Sequence, residues 1–372
     1  MSNTQKKNVP ELRFPGFEGE WEEKKLGNII KVNSGKDYKH LDKGDIPVYG
    51  TGGYMTSVSE PLSEIDAVGI GRKGTINKPY LLEAPFWTVD TLFYCTPKKE
   101  TDILFILSLF RKINWKVYDE STGVPSLSKQ TINKINRFVP TNKEQQKIGK
   151  FFSKLDRQIE LEEQKLELLQ QQKKGYMQKI FSQELRFKDE NGNDYPDWTN
   201  ERLGEVTTVT MGQSPKSVNY TDNSNDTVLI QGNADIENGL INPRIYTREV
   251  TKLIQKDEII LTVRAPVGKL AMAQINACIG RGVCSIKGDK FLYYFLEWFA
   301  TQNKWIRFSQ GSTFESISGN DIRNIHIKIP VEDERTKIIK LLNSLDVLNS
   351  KTDLKIQNLK QRKQSLLQKI FV

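Results

Sequence analysis

Apolar residues recur at alternating steps of four and three along residues 144–181, a stretch that contains no proline. Polar Glu162 and Lys173 fill the remaining steps of the series. This spacing is the heptad repeat of a helix that packs along its length against another helix. At 1.5 Å per residue the predicted helix is about 57 Å long. The apolar positions are Ile148, Phe152, Leu155, Ile159, Leu166, Leu169, Tyr176 and Ile180.

A second stretch near the C-terminal end has the same frame. A helix that is amphipathic over such a length needs a partner for its apolar stripe, and the first stretch is the simplest partner. The first helix delivers the chain to a second domain and the second helix must run back, so the pair is predicted to be antiparallel. The apolar positions here are Ile338, Leu342, Leu345, Ile356, Leu359, Leu366 and Ile370, interrupted by Asn349, Thr352 and Lys363.

Lysines occupy the same step of both seams, at Lys173 and Lys363. One interpretation is that each stem lies along the stripe with its amine in water. The other is that the lysines fix the register of the pair or contact another subunit.

The two helical stretches belong to an internal repeat. Pro140, Glu144 and Asp156 each have an identical residue 190 positions later. The motif QKIF ends both stretches, at 178–181 and 368–371, and ELRF occurs at 11–14 and 184–187 before a W-x4-LG segment. The order of the chain is therefore head, variable domain and helix, twice. Each variable domain alternates strand-like segments with one apolar helix, TDILFILSLFRKI or FLYYFLEWFATQ, which predicts a mixed α/β fold.

Composition narrows the classes of function. An apolar content of 37% supports packed cores. No uncharged apolar run approaches 18 residues and the N-terminus MSNTQKKNVPELRF lacks the apolar run of a signal peptide, so we expect a cytoplasmic protein. Cys95, Cys278 and Cys284 have no CxxC spacing, so neither zinc nor a disulfide framework is predicted. The net charge of +9 suits a polyanionic partner.

Three motifs with possible chemistry are better explained by structure. GIGRKG at 69–74 fits a dinucleotide fingerprint, but Pro79 follows closely, so we predict strand, turn and strand. NKPY at 77–80 departs from the Asn-Pro-Pro-Tyr motif of adenine-N6 methyltransferases at Lys78. The aligned serines Ser126 and Ser316 have no recognisable base beside them. No catalytic centre is predicted in this chain, which favours a binding function.

Taken in order, these features resemble the specificity subunit of type I restriction-modification systems. The resemblance rests on the paired segments PTNKEQQKIGKFFSKLD and PVEDERTKIIKLLNSLD, the repeated QKIF and W-x4-LG motifs, the GQSPKS turn at 212 and the GxG/RxxxG strand turns. It implies an α+β fold with a pseudo-two-fold repeat. Its parts are target recognition domains at 1–140 and 184–330, joined to helices at 141–183 and 331–372 that form the antiparallel coiled coil.

The resemblance also implies a function. Each recognition domain would recognise one half of a split double-stranded DNA site, and the helices would set the spacer and dock two methyltransferase subunits. Restriction and translocase subunits would complete the complex. S-adenosylmethionine, ATP and Mg would be bound by partner subunits and not by this chain.

Arginine, lysine and hydroxyl side chains in turns are the predicted DNA contacts, because they bind base edges and phosphates. In the first domain these are Arg72, Lys73, Thr122, Ser126 and Lys129; in the second they are Lys216, Arg264, Lys269, Arg281, Ser312 and Thr313. The predicted subunit-docking residues recur in both helices at positions taken to point outward: Lys147, Lys150, Asp156, Lys337, Lys340 and Asp346. For every one of these residues the alternative is a solvated surface group.

Other functions remain open at this point. The chain could be a coiled-coil adaptor whose two domains bind proteins, or the specificity subunit of an adenine methyltransferase that only modifies DNA. A self-sufficient methyltransferase would bind S-adenosylmethionine as an isolated chain.

Overall fold

The computed structural model describes residues 8–305 and 316–372, which form two compact units. Unit 1 runs to Gln164 and resumes at Thr352, and unit 2 is Lys165–Lys351. Each long helix therefore gives one part of its length to unit 1 and the other part to unit 2.

The predicted long helices are confirmed, as is the apolar helix of each domain. Asp102 and Asp289 cap the two domain helices, accepting hydrogen bonds from the N–H groups of Phe105 (2.8 Å) and Leu292 (3.2 Å). The α-helices that lie wholly within the described residues are α1 (Leu26–Ile29), α2 (Ile103–Lys112), α3 (Lys129–Lys134), α4 (Asn142–Phe181), α5 (Leu203–Val206), α6 (Lys290–Thr301), α7 (Gly319–Arg323) and α8 (Glu332–Ile370).

Unit 1 contains three small sheets. Their strands are β1 (Glu22–Lys25), β2 (Ile30–Ser34), β3 (Ile46–Gly50), β4 (Gly53–Val58), β5 (Ala67–Gly71), β6 (Tyr80–Leu82), β7 (Trp87–Thr88), β8 (Leu92–Pro97) and β9 (Asn136–Val139). The sheet orders are β1-β9, β2-β8-β5-β6 and β4-β3-β7. Strands β5 and β6 pair antiparallel, so GIGRKG ends a strand and enters a turn, as predicted.

Unit 2 repeats this plan with additional strands. Its strands are β10 (Thr199–Arg202), β11 (Val209–Met211), β12 (Tyr220–Thr221), β13 (Thr227–Ile230), β14 (Ile236–Glu237), β15 (Leu240–Ile241), β16 (Tyr246–Thr247), β17 (Leu253–Ile254), β18 (Ile259–Thr262), β19 (Leu270–Met272), β20 (Ala277–Ile279), β21 (Val283–Ile286) and β22 (His326–Ile329). The sheet orders are β10-β22, β11-β21-β18-β19, β12-β16-β13-β20-β17 and β14-β15. Even the parallel pair β3/β7 has a counterpart in β13/β20.

The end of each long helix closes the core of a unit. In unit 1, Phe371 of the second QKIF packs against Trp21 and Phe105, with ring centroids 6.2 and 5.6 Å apart. In unit 2, Phe181 of the first QKIF packs against Phe291 at 5.6 Å. Each long helix thus supplies a core residue at its end.

The backbone contact within the junction QKIFSQELRF has an equivalent in unit 1. Within unit 2, the Leu185 N–H donates to the Lys179 carbonyl at 3.0 Å inside this continuous segment. Within unit 1, the Leu12 N–H donates to the Lys369 carbonyl at 2.9 Å, although the two residues are far apart in sequence. The same contact is therefore formed once along the chain and once between separate segments.

The arginine of each ELRF motif anchors the head to a long helix. Arg13 donates two hydrogen bonds of 2.8 Å to Glu144, and Arg186 donates two of 2.8 Å to Glu334. Both carboxylates are buried in the first turn of their helix, where the helix dipole favours negative charge. Buried charges of this kind require a paired, hydrogen-bonded partner, which explains the repeated arginine.

The helix segments within unit 1 run antiparallel, as predicted. Asp156 pairs with Lys363, and Glu162 pairs with Lys355, so positions that rise along α4 fall along α8. Residues predicted on the seams are buried or partly buried throughout the described helices.

The two seam lysines form ion pairs inside their units. In unit 1, Asp156 pairs with both Lys363 and Arg111. In unit 2, Lys173 pairs with Asp346 and Glu297, each at 2.7 Å. The interpretation that the amines lie in water is wrong, and so is the outward orientation assumed for the two aspartates. Burial lowers the pKa of the Lys363 amine and raises that of the Glu297 carboxyl.

Candidate nucleic-acid interface

The turn between β5 and β6 carries Arg72 and Lys73, and both side chains are exposed. Their N–H groups donate to the Thr91 carbonyl at 2.8 and 3.3 Å. On the other side, Lys73 forms a β-bridge with Ser126. The structure therefore brings together three of the five predicted DNA contacts of the first domain.

A carboxylate holds the neighbouring loop in place. Asp119 accepts hydrogen bonds from the N–H of Ser126 (2.9 Å) and the N–H and hydroxyl of Ser121 (3.0 and 2.9 Å), and these bonds lower its pKa. The loop exposes Thr122, and Lys129 begins α3 just beyond it. All five residues predicted in the first domain thus lie on this loop or on the turn that it contacts.

Unit 2 contains the equivalent arrangement. The Val263 N–H donates to the Gly282 carbonyl at 2.9 Å, and Arg264 forms a β-bridge with Ser316. Arg264 therefore occupies the place of Lys73. On the adjacent turn, the Arg281 N–H donates to the Ser214 hydroxyl at 3.1 Å.

Lys216 follows Ser214 on the same segment. Its N–H donates to Glu249 at 3.0 Å, and the Asn219 amide donates to the same carboxylate at 2.6 Å. These hydrogen bonds lower the pKa of Glu249. The exposed side chains of Lys216, Arg264 and Arg281 consequently lie on one connected set of turns.

We call the hydrogen bonds shared by these turns the turn frame. Both units form it although their side chains differ. Its bonds in unit 1, with the counterparts in unit 2, are Gly35 N–H to Leu92 O (Gly212 to Val283), Lys36 N–H to Thr88 O (Gln213 to Ile279), Val89 N–H to Tyr49 O (Gly280 to Ile230) and, at the cationic turns, Arg72 N–H to Thr91 O (Val263 to Gly282). A Cβ atom at Gly35 or Gly212 would overlap a backbone carbonyl, so the frame requires glycine there.

Lys269 is placed differently from the other candidates. Its amine donates to the carbonyls of Asn233 (3.2 Å) and Ile236 (2.6 Å), so it is already used inside unit 2. Ser312 and Thr313 lie outside the described residues. Sequence reasoning missed Asp119 and Glu249, because a single acidic residue in a loop carries no spacing signal.

The lysines predicted to dock partners differ in their environment. Lys150 and Lys340 are exposed. Lys147 lies over the Phe14 ring at 5.8 Å, and Lys337 donates to the Lys188 carbonyl at 2.6 Å. Lys147 and Lys150 also line a groove of about 780 Å³ together with Lys143, Lys154 and three phenylalanines, Phe14, Phe17 and Phe151.

Across residues 8–305 and 316–372, no group of three or more histidine, cysteine or acidic side chains is placed to hold a metal ion. No helix in the same ranges is long and apolar enough to cross a membrane.

The turn frame is thus built twice, once in each unit, with unlike exposed side chains around it. A family model described as the type I restriction modification DNA specificity domain matches residues 18–171 and 195–361, and the chain belongs to this family.

Relatives of known family agree with this assignment. The chain is 30% identical over 261 residues to the MjaX specificity subunit of a type I restriction enzyme from Methanocaldococcus jannaschii, covering 66% of this chain but only 61% of that protein. It is 25% identical over 312 residues to the MjaVIII specificity subunit of the same organism, covering 77% of this chain and 71% of that protein.

The fold matches a crystal structure of a type I restriction-modification S subunit from M. genitalium with a TM-score of 0.69 at 16% identity, covering 98% of this chain and 99% of that one. A structure from a study of assembly and conformational transition in the type I R-M system gives 0.58 at 19% identity, covering 94% of this chain and 97% of that one. At these identities the matches support the fold alone.

Proposed function

We propose that this chain is the DNA-recognition subunit of a type I restriction-modification complex, and that each unit recognises one half of a bipartite duplex site. The observation that carries the proposal is the turn frame, which presents an exposed cation at the same place in both units, Lys73 in one and Arg264 in the other. Cations on turns bind phosphates and guanine edges. The side chains around each cation differ, so the two half-sites would differ too.

We further propose that the long helices set the number of base pairs between the two half-sites and dock two methyltransferase subunits. Helix α4 has 40 residues, a length of about 60 Å, against ~34 Å per turn of duplex. Both helices expose large apolar residues on otherwise polar surfaces: Leu161 and Leu354 in unit 1, and Leu168 and Val347 in unit 2. Such residues favour packing against partner helices.

The chemistry of the complex is assigned to the partners. S-adenosylmethionine, ATP and Mg would be bound by the methyltransferase and restriction subunits. The target adenine would be flipped into a methyltransferase pocket, and this chain would position the duplex.

The test uses the complex reconstituted with its methyltransferase. After the methylated adenines of the host are mapped, binding is measured on site libraries with one half-site randomised at a time. We expect Arg264→Ala to weaken binding by about 1–3 kcal/mol and to relax the preference in one half-site only. Lys73→Ala should change the other half-site only.

Lys256→Ala is the matched control. Lys256 is exposed and lies before β18, whereas Arg264 lies after it, so this substitution removes the same charge at the opposite end of the strand. Unchanged preference in both half-sites for Arg264→Ala and Lys73→Ala would remove the turn frame as the recognition surface. A wild-type complex without any sequence preference would instead favour the adaptor function. Binding of S-adenosylmethionine by the isolated chain would favour a self-sufficient methyltransferase.

A further inference from the structure

The hairpin of β3 and β4 exposes two large apolar side chains. Tyr54 is 65% exposed and Met55 is 53% exposed, and they follow one another directly. We call residues 50–55 the hairpin tip. Adjacent apolar residues this exposed, unlike single ones, mark a surface that binds something.

Side-chain contacts hold the tip in one conformation. The Tyr54 ring packs edge-on against Tyr49 at 6.4 Å, and its hydroxyl lies 3.1 Å from the Ser57 hydroxyl. The Tyr80 hydroxyl donates to the Gly50 carbonyl at 2.6 Å. An ordered tip loses little conformational entropy when it binds a partner.

The tip is continuous with the turn frame. The Val89 N–H donates to the Tyr49 carbonyl at 3.0 Å, and two residues later the Thr91 carbonyl accepts from Arg72 and Lys73. A single short segment, 89–91, therefore lies between the hairpin and the cationic turn.

Unit 2 carries different chemistry at the corresponding point. The equivalent bond runs from the Gly280 N–H to the Ile230 carbonyl at 2.8 Å. After Ile230 the chain continues with Gln231, Gly232 and Asn233, which supply two amide side chains and no large apolar group. Asp235 and Ile236, which follow Ile230 by the same five and six residues as Tyr54 and Met55 follow Tyr49, are buried.

We propose that the hairpin tip enters the major groove of the half-site bound by unit 1, and that Tyr54 and Met55 contact the methyl groups of thymines there. The inference rests on the proposed function. Thymine presents the one apolar group of the major-groove edge, and apolar side chains recognise it by contact. The neighbouring cations of the turn frame would contact guanine edges and phosphates beside it.

The probe is a target site in which uracil replaces thymine, which removes only the methyl group. For the wild-type complex with its methyltransferase, we expect substitution in the unit 1 half-site to weaken binding about fourfold per contacted methyl group. The half-site is assigned by the Lys73→Ala variant. Tyr54→Ala combined with Met55→Ala should bind the thymine and uracil sites equally, whereas Tyr54→Phe should still distinguish them.

Two controls accompany the measurement. Ile65 is 61% exposed in the same unit, and Ile65→Ala should leave the thymine preference intact. Uracil in the other half-site should have the same effect on wild type and on the double alanine variant.

A wild-type complex that binds its site specifically but ignores uracil in the unit 1 half-site would overturn this inference and leave the proposed function standing. A double alanine variant that loses the methyltransferase while keeping its half-site preference would also overturn this inference, because the tip would then bind protein. Absence of any specific binding by wild type would defeat the proposed function itself.

Discussion

At the residue scale, the repeated Asp–Lys pair has a different third partner in each unit. Asp156 and Lys363 are joined by the Arg111 guanidinium, whereas Lys173 and Asp346 are joined by the Glu297 carboxylate. The pair carries one positive and one negative charge, so it can bind either an arginine or a glutamate from the domain helix of its unit. A constant pair of helices can thereby carry two unlike domains.

This difference predicts unequal effects of the same substitution. Asp156→Asn leaves two cations facing each other without an anion, and we expect it to lower the free energy of unfolding by about 1–3 kcal/mol. Asp346→Asn leaves Lys173 paired with Glu297 and keeps an acceptor for Tyr294, so its cost should stay below about 1 kcal/mol. Urea denaturation of both variants measures the difference.

Salt provides the check on the cause. High salt screens the repulsion between the two cations, so the excess cost of Asp156→Asn should shrink between low salt and 1 M KCl, at which the Debye length is about 3 Å. Equal costs for the two variants at both salt concentrations would contradict the electrostatic explanation.

The sequence could identify candidate residues that a motif or the repeat locates, but it could not show in which direction a long side chain points. Arg72, Lys73 and Arg264 were predictable from strand-turn motifs and Ser126 from the repeat alignment, and the structure brings Lys73 beside Ser126 and Arg264 beside Ser316. Lys269 was not, because a long flexible stem can turn inward to backbone carbonyls as readily as outward. Their role in DNA binding stays a prediction.

At the scale of elements, the long helices were predictable and the sheets were not. A heptad pattern is local and repeats over many turns, so Asn142–Phe181 and Glu332–Ile370 follow from spacing alone. The strands are short, and partners such as β3 and β7 pair across an intervening hairpin and strands, so their order depends on contacts that no local pattern encodes. The repeat predicted that the two units have equivalent folds, but it did not predict the strand order of either unit.

Two glycines of α4 should respond oppositely to alanine. A Cβ at Gly149 would lie 2.6 Å from the Phe105 nitrogen, where α4 meets the start of α2, so Gly149→Ala should destabilise by about 1–3 kcal/mol. Apart from its chain neighbours and the nearby backbone of its own helix, no described atom lies within 4 Å of a Cβ at Gly175, so Gly175→Ala should stabilise by about 0.5–1 kcal/mol through helix propensity. Thermal unfolding distinguishes the pair, and a stabilising Gly149→Ala would show that the close helix approach is absent.

At the scale of the whole molecule, the repeat predicts that the two proposed docking sites are related but not identical. Lys150 and Lys340 are repeat counterparts, and both are exposed. Their surroundings differ, because the lysines at 143 and 154 in unit 1 correspond to Asp333 and Ser344 in unit 2. If each site takes one methyltransferase, the unit 1 site should depend more strongly on salt, because it offers more cations to the partner.

Charge reversal tests the docking role at single residues, because neither lysine side chain forms a hydrogen bond or an ion pair with another described residue. We expect Lys150→Glu and Lys340→Glu each to lower the methyltransferase content of the purified complex from two subunits to one, and the double variant to lose both. Light scattering gives the mass of each complex, and Lys256→Glu, on the exposed turn before β18, should retain two subunits. If the double variant retained two subunits, these lysines would serve only to keep the helix surface solvated. The docking surface would then have to be sought at the exposed leucines of the same helices.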